Sequence, residues 1–280
     1  MPAEFPYEHK YLRAKKKFPH VWCPGCGIGI VMGSIIRAVD SLGWSKNEVM
    51  VVSGIGCTSR MPVYLDFNTL HTMHGRALAF ATGIKLANPE LRIIAVMGDG
   101  DALAIGGNHI IHSARRNIDI TAVIVNNYNY GMTGGQHSPT TPLEKITKTS
   151  PYGMVEPEFD ICELLKAAGS VFVARGTVYH VIELDGLIRK ALEKKGFSVV
   201  EAISPCPTNY GRDNRLGDAV RMMESLRDDS VNVAQAARMK PEELAGKIVR
   251  GVLADREAPE YTDLYLELCR RVRSSGEVGE

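Results

Sequence analysis

The sequence lacks any long apolar segment. Its apolar runs are interrupted by Gly, Asp or Asn and stay well short of the about 20 residues that a membrane-spanning helix needs. The first twenty residues carry several Lys, Arg and Glu side chains but no apolar core, which is unlike a secretory signal. We therefore expect a protein without a membrane span that is made and kept in the cytoplasm.

The sequence also lacks a charge imbalance, internal repeats and low-complexity segments. The formal net charge is +1 with 23% charged residues, which argues against a general nucleic-acid-binding protein. Of the 280 residues, 45% are apolar, so the chain can bury a sizeable core. Any electrostatic partner would have to bind a local patch.

Short continuous apolar runs alternate along the chain with segments of helical pattern. Runs of this kind indicate strands buried on both faces, as in parallel sheets covered by helices. The alternation predicts a doubly wound α/β domain, with a mainly parallel sheet and helices on both faces, within residues 1–212. We predict strands at 49–53, 92–97, 120–125, 170–174 and 198–203, and helices at 29–42, 75–86, 107–116, 160–168 and 178–193.

No strand pattern remains after Arg212. Residues 213–280 predict a C-terminal helical extension, in which Pro241 and Pro259 separate short polar helices between residues 216 and 273. We expect this extension to serve packing or subunit contact, and residues 274–280 to be disordered.

A Gly-rich turn after the second predicted strand is a candidate phosphate site. Its sequence is Gly-Asp-Gly-Asp from Gly98, and glycine lets the backbone approach a phosphate. Asp99 alone would repel a diphosphate, but a bridging magnesium ion takes carboxylate, carbonyl and phosphate oxygens together. Asn127 follows the next strand, so both turns should lie at the same sheet edge, where such folds bind ligands. The alternative is two ordinary turns, since Gly, Asp and Asn favour turns.

Four of the six cysteines are expected at that same edge, because they form a tight Cys-Pro-Gly-Cys turn or follow predicted strands: Cys23, Cys26, Cys57 and Cys206. Four thiolates suit either a structural zinc ion or an iron-sulfur cluster, and a redox disulfide would also explain the Cys-x-x-Cys pair. Cys162 and Cys269 lie in helical patterns beside apolar neighbours, and we interpret them as buried structural residues.

Five motifs follow one another along the chain: WCPGCG from Trp22, GIGCTS from Gly54, LHTMHGR from Leu70, the GDG and NN pair, and YGMTGGQ from Tyr130. Taken in this order, they resemble the motifs of the beta subunits of 2-oxoacid:ferredoxin oxidoreductases. The resemblance covers about residues 18–212 and implies the thiamine-diphosphate-binding fold. It implies magnesium bound by Asp99, the Asn127 side chain and the Asn129 carbonyl, and a 4Fe-4S cluster bound by the four cysteines. Proximity to thiamine favours a cluster over zinc, because a cluster accepts electrons.

The resemblance also assigns further residues to the site. Arg60 stands where the family often has Lys or Arg near the substrate carboxylate, so we expect it to bind substrate; an interface salt bridge is the alternative. His74 to Arg76 could instead be solvated residues at a helix start, and residues 136–142 could be a closing loop or a surface connection. The residues expected to contact the cofactor are Gly56, Cys57, Thr58, His74, Gly75, Arg76, Gly98, Asp99, Gly100, Asp101, Asn127, Asn129, Gly131, Met132 and Thr133.

The activity implied is the coenzyme A-dependent oxidative decarboxylation of a 2-oxoacid, with electrons passing through the cluster to ferredoxin. The YGMTGGQ segment looks most like subunits that convert 2-oxoglutarate to succinyl-CoA, with branched-chain 2-oxoacids and pyruvate as alternatives. Since only the diphosphate domain is present, an alpha subunit should supply the pyrimidine domain and the activating Glu, in an (alpha-beta)2 assembly. The competing hypotheses are a non-oxidative thiamine lyase or synthase with zinc, and an inactive scaffold that keeps the cofactor fold.

Overall fold

The computed structural model describes residues 10–15 and 18–275, and its centre is an eight-stranded sheet. The strands are β1 (Val49–Ser53), β2 (Asn68–His71), β3 (Arg92–Gly98), β4 (Thr121–Asn126), β5 (Phe172–Thr177), β6 (Ser198–Ile203), β7 (Ser230–Asn232) and β8 (Ile248–Asp255). They follow one another in the order β2-β1-β3-β4-β6-β5-β8-β7 across the sheet. β1 to β6 are mutually parallel, which confirms the predicted doubly wound, mainly parallel sheet.

Helices cover both faces of the sheet, as predicted. The helices are α1 (Ile28–Ser41), α2 (Ala77–Ala87), α3 (Asp99–Leu103), α4 (Gly107–Arg116), α5 (Ile161–Ala168), α6 (Val181–Glu193), α7 (Ala219–Asp228), α8 (Val233–Ala236), α9 (Pro241–Leu244) and α10 (Tyr261–Ser275). One core packs α1 and α6 against the sheet through residues such as Ile35 and Ile188, and the other packs α2, α4 and α5 through Leu78, Ile110 and Leu165. With a core on each face, every residue of β4 and β6 is buried.

The expectation that strands end before Arg212 is wrong. β7 and β8 lie in the C-terminal segment, and β8 pairs antiparallel with β5. Most residues of β8 are only half-buried, so it lacks the continuous apolar run that marks the central strands. Helices α7 to α10 confirm the helical character of this segment, and the division into two domains at residue 212 stays a prediction.

Two expectations concern residues near the ends of the chain. The segment used to exclude a secretory signal includes residues 1–9, 16 and 17, which are outside the described residues. The predicted disorder of residues 276–280 also lies outside them, whereas α10 continues through Ser275. No helix in the described part of the chain is both long and apolar enough to cross a bilayer.

The sheet order brings four strand ends together. β1, β3, β4 and β6 are adjacent and parallel, so their carboxyl ends meet at one edge. The residues that follow them, including Cys57, Asp99, Asn127 and Cys206, are the ones that carry the predicted chemistry. A ligand site at this edge is expected for an open α/β sheet.

Candidate cofactor and cluster site

A cavity of about 220 Å³ opens at the carboxyl ends of β1, β3 and β4. All the predicted cofactor-contacting residues line it except Gly75 and Arg76, and it also includes Ile55 and Tyr130, which were not predicted. The Gly75 amide donates to Asp101 Oδ1 at 2.6 Å, and the Arg76 guanidinium donates to the Ile105 carbonyl at 3.2 Å. Gly75 therefore supports the cavity wall through Asp101, whereas Arg76 contacts a residue outside the wall.

Asp99 is a deeply buried carboxyl at this cavity, only 2% exposed. The hydroxyls of Ser138 and Thr140 donate to its Oδ2 at 2.6 and 2.8 Å. Burial raises the pKa of Asp99 to about 6, and these hydrogen bonds oppose that increase. A buried carboxylate surrounded by neutral donors is stabilised by a cation, and its oxygen chemistry suits magnesium.

The sequence left open whether residues 136–142 close over the site or connect elements at the surface, and it did not indicate that this loop holds Asp99. Ser138, Thr140 and Thr141 are all buried within the 136–142 segment, and the first two hold Asp99, so this segment packs against the site rather than only connecting elements at the surface. The Thr141 hydroxyl donates to the Tyr128 carbonyl at 2.7 Å. Three hydroxyl side chains within four positions after a Gly-Gly pair were the available indication of this role.

The turn after β4 presents Asn127 and Asn129 to the cavity. Tyr128 between them has φ 64°, in the left-handed region that a bulky side chain seldom adopts. The Asn129 Oδ1 atom is buried and has no hydrogen-bond partner among the described residues, while its Nδ2 donates to Cys206 Sγ at 3.6 Å. A buried oxygen without a partner fits a site completed by a ligand.

Asp101 accepts hydrogen bonds from two loops of the cavity wall. Its Oδ1 accepts from the amides of Gly75 at 2.6 Å and Ile55 at 3.3 Å, and burial raises its pKa. His74 Nδ1 lies 2.9 Å from the same oxygen, at ion-pair distance but without hydrogen-bond alignment. The Asp101 side chain therefore lines the cavity chiefly as an anchor for the loops after β1 and β2.

The four predicted cysteines border a second, smaller cavity of about 60 Å³. The two cavities share a wall, made of Cys57, Asn127, Gly131 and Met132. A Cβ atom on Gly131 would lie 3.5 Å from Cys57 Sγ and 3.6 Å from Cys206 Sγ, so the shared wall is in close contact with both sulfurs at this residue. The sheet thus brings together thiols that are up to 183 positions apart in the chain.

Burial controls the ionisation of the central thiols. It raises the pKa of Cys57 to about 12 and that of Cys26 to about 11, and the neighbouring cysteines add to the increase. A metal ion deprotonates such thiols on binding, because it replaces the proton as the positive partner. The donor set is therefore chemically suited to a metal centre.

Two contacts shape the Cys-Pro-Gly-Cys turn. Gly25 has φ +79°, and a Cβ atom there would lie 2.2 Å from the Cβ of Ala219, so the turn requires glycine. Trp22 Nε1 donates to the Cys57 carbonyl at 2.7 Å and so joins this turn to the loop after β1.

Of the other cysteines, Cys162 is buried as predicted, but Cys269 is only partly buried, so its assignment as a core residue is wrong.

The metal assignments remain predictions. Across residues 10–15 and 18–275, no three His, Cys, Asp or Glu side chains are close enough together to bind one metal ion. Arg60 lies half-buried in a 3₁₀ helix, Thr58–Val63, and is not among the residues that line either cavity. Its role in substrate binding also stays a prediction.

Comparison with known proteins assigns the class and then the family. Residues 42–202 match the family model described as thiamine pyrophosphate enzyme, C-terminal TPP binding domain, so the chain carries a thiamine-diphosphate-binding domain. Over 254 residues the chain is 49% identical to the 2-oxoglutarate synthase subunit KorB of Methanothermobacter marburgensis, covering 91% of this chain and 89% of that one. The corresponding Methanocaldococcus jannaschii subunit is 47% identical, with coverages of 95% and 98%.

A solved structure agrees with these relatives. It is the 2-oxoglutarate:ferredoxin oxidoreductase from Magnetococcus marinus with 2-oxoglutarate, coenzyme A and succinyl-CoA bound, which aligns with a TM-score of 0.85 and 33% identity. The alignment covers 99% of this chain and 94% of that one. The chain therefore belongs to the family of beta subunits of 2-oxoacid:ferredoxin oxidoreductases, as the sequence motifs indicate.

Proposed function

We propose that this beta subunit, with an alpha partner, converts a 2-oxoacid and coenzyme A into acyl-CoA and carbon dioxide. Two electrons leave through a 4Fe-4S cluster to ferredoxin, which is the oxidant. The observation that carries this proposal is the wall of Cys57, Asn127, Gly131 and Met132 shared by the cofactor and thiol cavities. Sites in such contact allow electrons released in one to pass directly into the other.

The cofactor cavity suits the diphosphate end of thiamine diphosphate. Asp99, the Asn127 side chain and the Asn129 carbonyl would bind magnesium, while the backbone of Gly98 would lie against phosphate oxygens. When bound, thiamine diphosphate supplies the nucleophilic carbon and holds the electron pair left after carbon dioxide departs.

Several side chains of this subunit hold the cavity in shape. The Tyr130 hydroxyl donates to the Gly100 carbonyl at 3.2 Å, which fixes the aromatic ring against the start of α3. The Tyr130 ring also contacts the His74 ring edge-on, with ring centroids 5.9 Å apart. These contacts position the walls that orient the reactants.

The thiol cavity suits a 4Fe-4S cluster, in which each of four cysteines binds one iron. Cys57 lies at the shared wall, whereas Cys23 is exposed. A cluster bound by both would extend from the cofactor to the protein surface. We place ferredoxin docking at that surface, beside Cys23.

An alpha subunit completes the site in this proposal. The cavity of about 220 Å³ is smaller than the about 300–1,000 Å³ of pockets that enclose a whole drug-sized ligand. The alpha subunit would supply the pyrimidine domain and the activating Glu, and the pair would form an (alpha-beta)2 assembly. Arg60 would bind the substrate carboxylate, since its guanidinium makes no hydrogen bond or ion pair with any described residue.

The substrate we propose is 2-oxoglutarate, giving succinyl-CoA, because the relatives compared above are named for 2-oxoglutarate. The test is dye reduction by the anaerobically purified complex, with 2-oxoglutarate, a branched-chain 2-oxoacid and pyruvate compared side by side. We expect dye reduction that requires coenzyme A and is fastest with 2-oxoglutarate.

The controls distinguish the competing functions. A colourless, zinc-containing complex that releases carbon dioxide without reducing dye would identify a non-oxidative lyase. A complex loaded with both cofactors that turns over none of the three acids would identify a scaffold. Reactions without thiamine diphosphate or without coenzyme A give the background rates.

A further inference from the structure

A buried ion pair lies in the sheet beside the site, and none of the roles above uses it. Glu201 on β6 is 2% exposed, and its Oε2 accepts from Arg175 Nε at 2.6 Å and from Cys162 Sγ at 3.3 Å. Burying two charges costs several kcal/mol of hydration, so such pairs add little net stability. A positional role accounts better for a charge in the middle of a parallel sheet.

The other oxygen of Glu201 fixes the side chain of Asn126. Glu201 Oε1 accepts from Asn126 Nδ2 at 2.9 Å. Because a carboxylate can only accept, the nitrogen of the Asn126 amide must face Glu201 and the oxygen must face the opposite way. Asn126 Oδ1 therefore points at the turn after β4, where it accepts from the Tyr128 amide at 3.2 Å.

That hydrogen bond holds a strained residue between the two Asn residues of the candidate cation site. An Asn side chain that accepts from the amide two residues later forms a local turn, and this turn stabilises the left-handed conformation of Tyr128. Thr141 holds the same residue from the other side through the Tyr128 carbonyl. The Tyr128 conformation in turn sets the directions of Asn127 and Asn129.

Asn126 also lies at the edge of the Asp99 site. Thr140 Oγ1 lies 3.0 Å from Asn126 Oδ1 and 2.8 Å from Asp99 Oδ2. A hydroxyl has one hydrogen, and the charged acceptor takes the stronger bond, so the Thr140 proton belongs chiefly to Asp99. An Asn126 amide turned the other way would donate its N–H to Thr140 Oγ1 and would leave the Tyr128 amide without its acceptor.

We propose that Glu201, held by Arg175, is a positioning residue for the divalent-cation site: it orients the Asn126 amide, which sets the turn that carries Asn127 and Asn129. This inference rests on the proposed function, because that function includes the cation. It assigns the buried pair to the alignment of ligands and not to contact with the cation. The chain of contacts therefore runs from Arg175 on β5 through Glu201 on β6 to Asn126 on β4.

Glu201→Gln tests the inference directly. Arg175 requires an acceptor, so the new amide oxygen turns to Arg175 and the new NH₂ meets the NH₂ of Asn126. Two opposed donors favour rotation of the Asn126 amide, which removes the acceptor from the Tyr128 amide. We expect the affinity for Mn²⁺, at saturating thiamine diphosphate, to fall about 10- to 100-fold, as when an outer partner of a metal ligand is lost.

The measurement is electron paramagnetic resonance of free Mn²⁺, on the full chain in complex with its partner subunit. Glu183→Gln is the matched control, since Glu183 pairs with Arg250 and accepts from Asn232 Nδ2 at 3.0 Å in the same way, away from both cavities. It should lower the melting temperature and leave the Mn²⁺ affinity unchanged. Comparison with this control separates the loss of the Glu201 contacts from any general effect of breaking a hydrogen-bonded set of Arg, Glu and Asn.

A double substitution separates positioning from structural damage. In Glu201→Gln/Asn126→Asp the new carboxylate accepts from the new amide and from the Tyr128 N–H, which restores the donor–acceptor order. We expect this double variant to bind Mn²⁺ more tightly than Glu201→Gln alone. Should Glu201→Gln fail to fold, Asn126→Leu carries the test, because it removes the acceptor from the Tyr128 amide while the Arg175–Glu201 pair remains.

The outcomes are distinct. If the wild-type complex binds no Mn²⁺ with thiamine diphosphate present, the proposed cofactor site is wrong. If the wild type binds Mn²⁺ and folded Glu201→Gln, or Asn126→Leu in its place, binds it equally well, the positioning role is wrong and the proposed function stands. Equal loss in Glu183→Gln would also overturn the positioning role.

Discussion

Replacing Asp99 with Asn separates the cost of burying a charge from the benefit of binding a cation. Burial raises the pKa of Asp99 from 3.8 to about 6, a difference of about 2 units, or about 3 kcal/mol at 1.36 kcal/mol per unit. The pKa of Asp99 is higher in the folded state than in the unfolded state. The corresponding contribution to folding stability is therefore fully present below pH 3.8 and is lost as the pH rises through about 6. At pH 7 the cofactor-free wild type therefore bears the cost of an ionised, buried carboxyl.

The Asp99→Asn variant keeps the shape of the side chain but carries no charge, and its amide oxygen can still accept from Ser138 and Thr140. We expect the variant, free of thiamine diphosphate and magnesium, to melt about 6 °C above the wild type at pH 7. The difference should shrink toward pH 5, where Asp99 is protonated. Circular dichroism melts at several pH values between 5 and 8 measure it.

Adding magnesium with thiamine diphosphate should reverse the order, since a charged carboxylate gains more from the cation than a neutral amide does. Asp185→Asn is the control: Asp185 pairs with Arg37 at 2.6 Å, so its loss should not raise the melting temperature at any of these pH values. A cofactor-free Asp99→Asn protein that melts at or below the wild type at pH 7 would refute the reasoning.

Two further substitutions test the thiol and cofactor cavities. Cys57→Ala should lose bound iron, sulfide and visible absorption with little change in circular dichroism, while Cys162→Ala keeps them; full iron content in both would contradict the cluster assignment. Gly100→Ala would place a methyl group 2.4 Å from the Tyr130 ring, so the affinity for thiamine diphosphate should fall in a fluorescence titration. Gly107→Ala, where a methyl group would meet nothing within 4 Å, is its control, and equal affinities would show that the ring position does not matter.

The strands that carry the site could be predicted because burial on both faces leaves a continuous apolar run. β1 and β6 coincide with the predicted ranges, and β3 and β4 agree within a residue. β5 is displaced, because Arg175 interrupts its apolar pattern. β2 and β8 were missed, since half-exposed strands mix polar and apolar residues and resemble loops or helices.

The sequence by itself determined which residue types follow each strand end, and the motif order was enough to indicate the family, while the two sets of metal ligands stay predictions. Only the tertiary structure decided that the two cavities share a wall, that Asp99 is held by hydroxyls 39 and 41 residues away, and that Glu201 orients Asn126 from 75 residues away. Local sequence records what a residue can donate or accept. Which partner it meets depends on the order of strands in the sheet, and that order results from the packing of the whole chain.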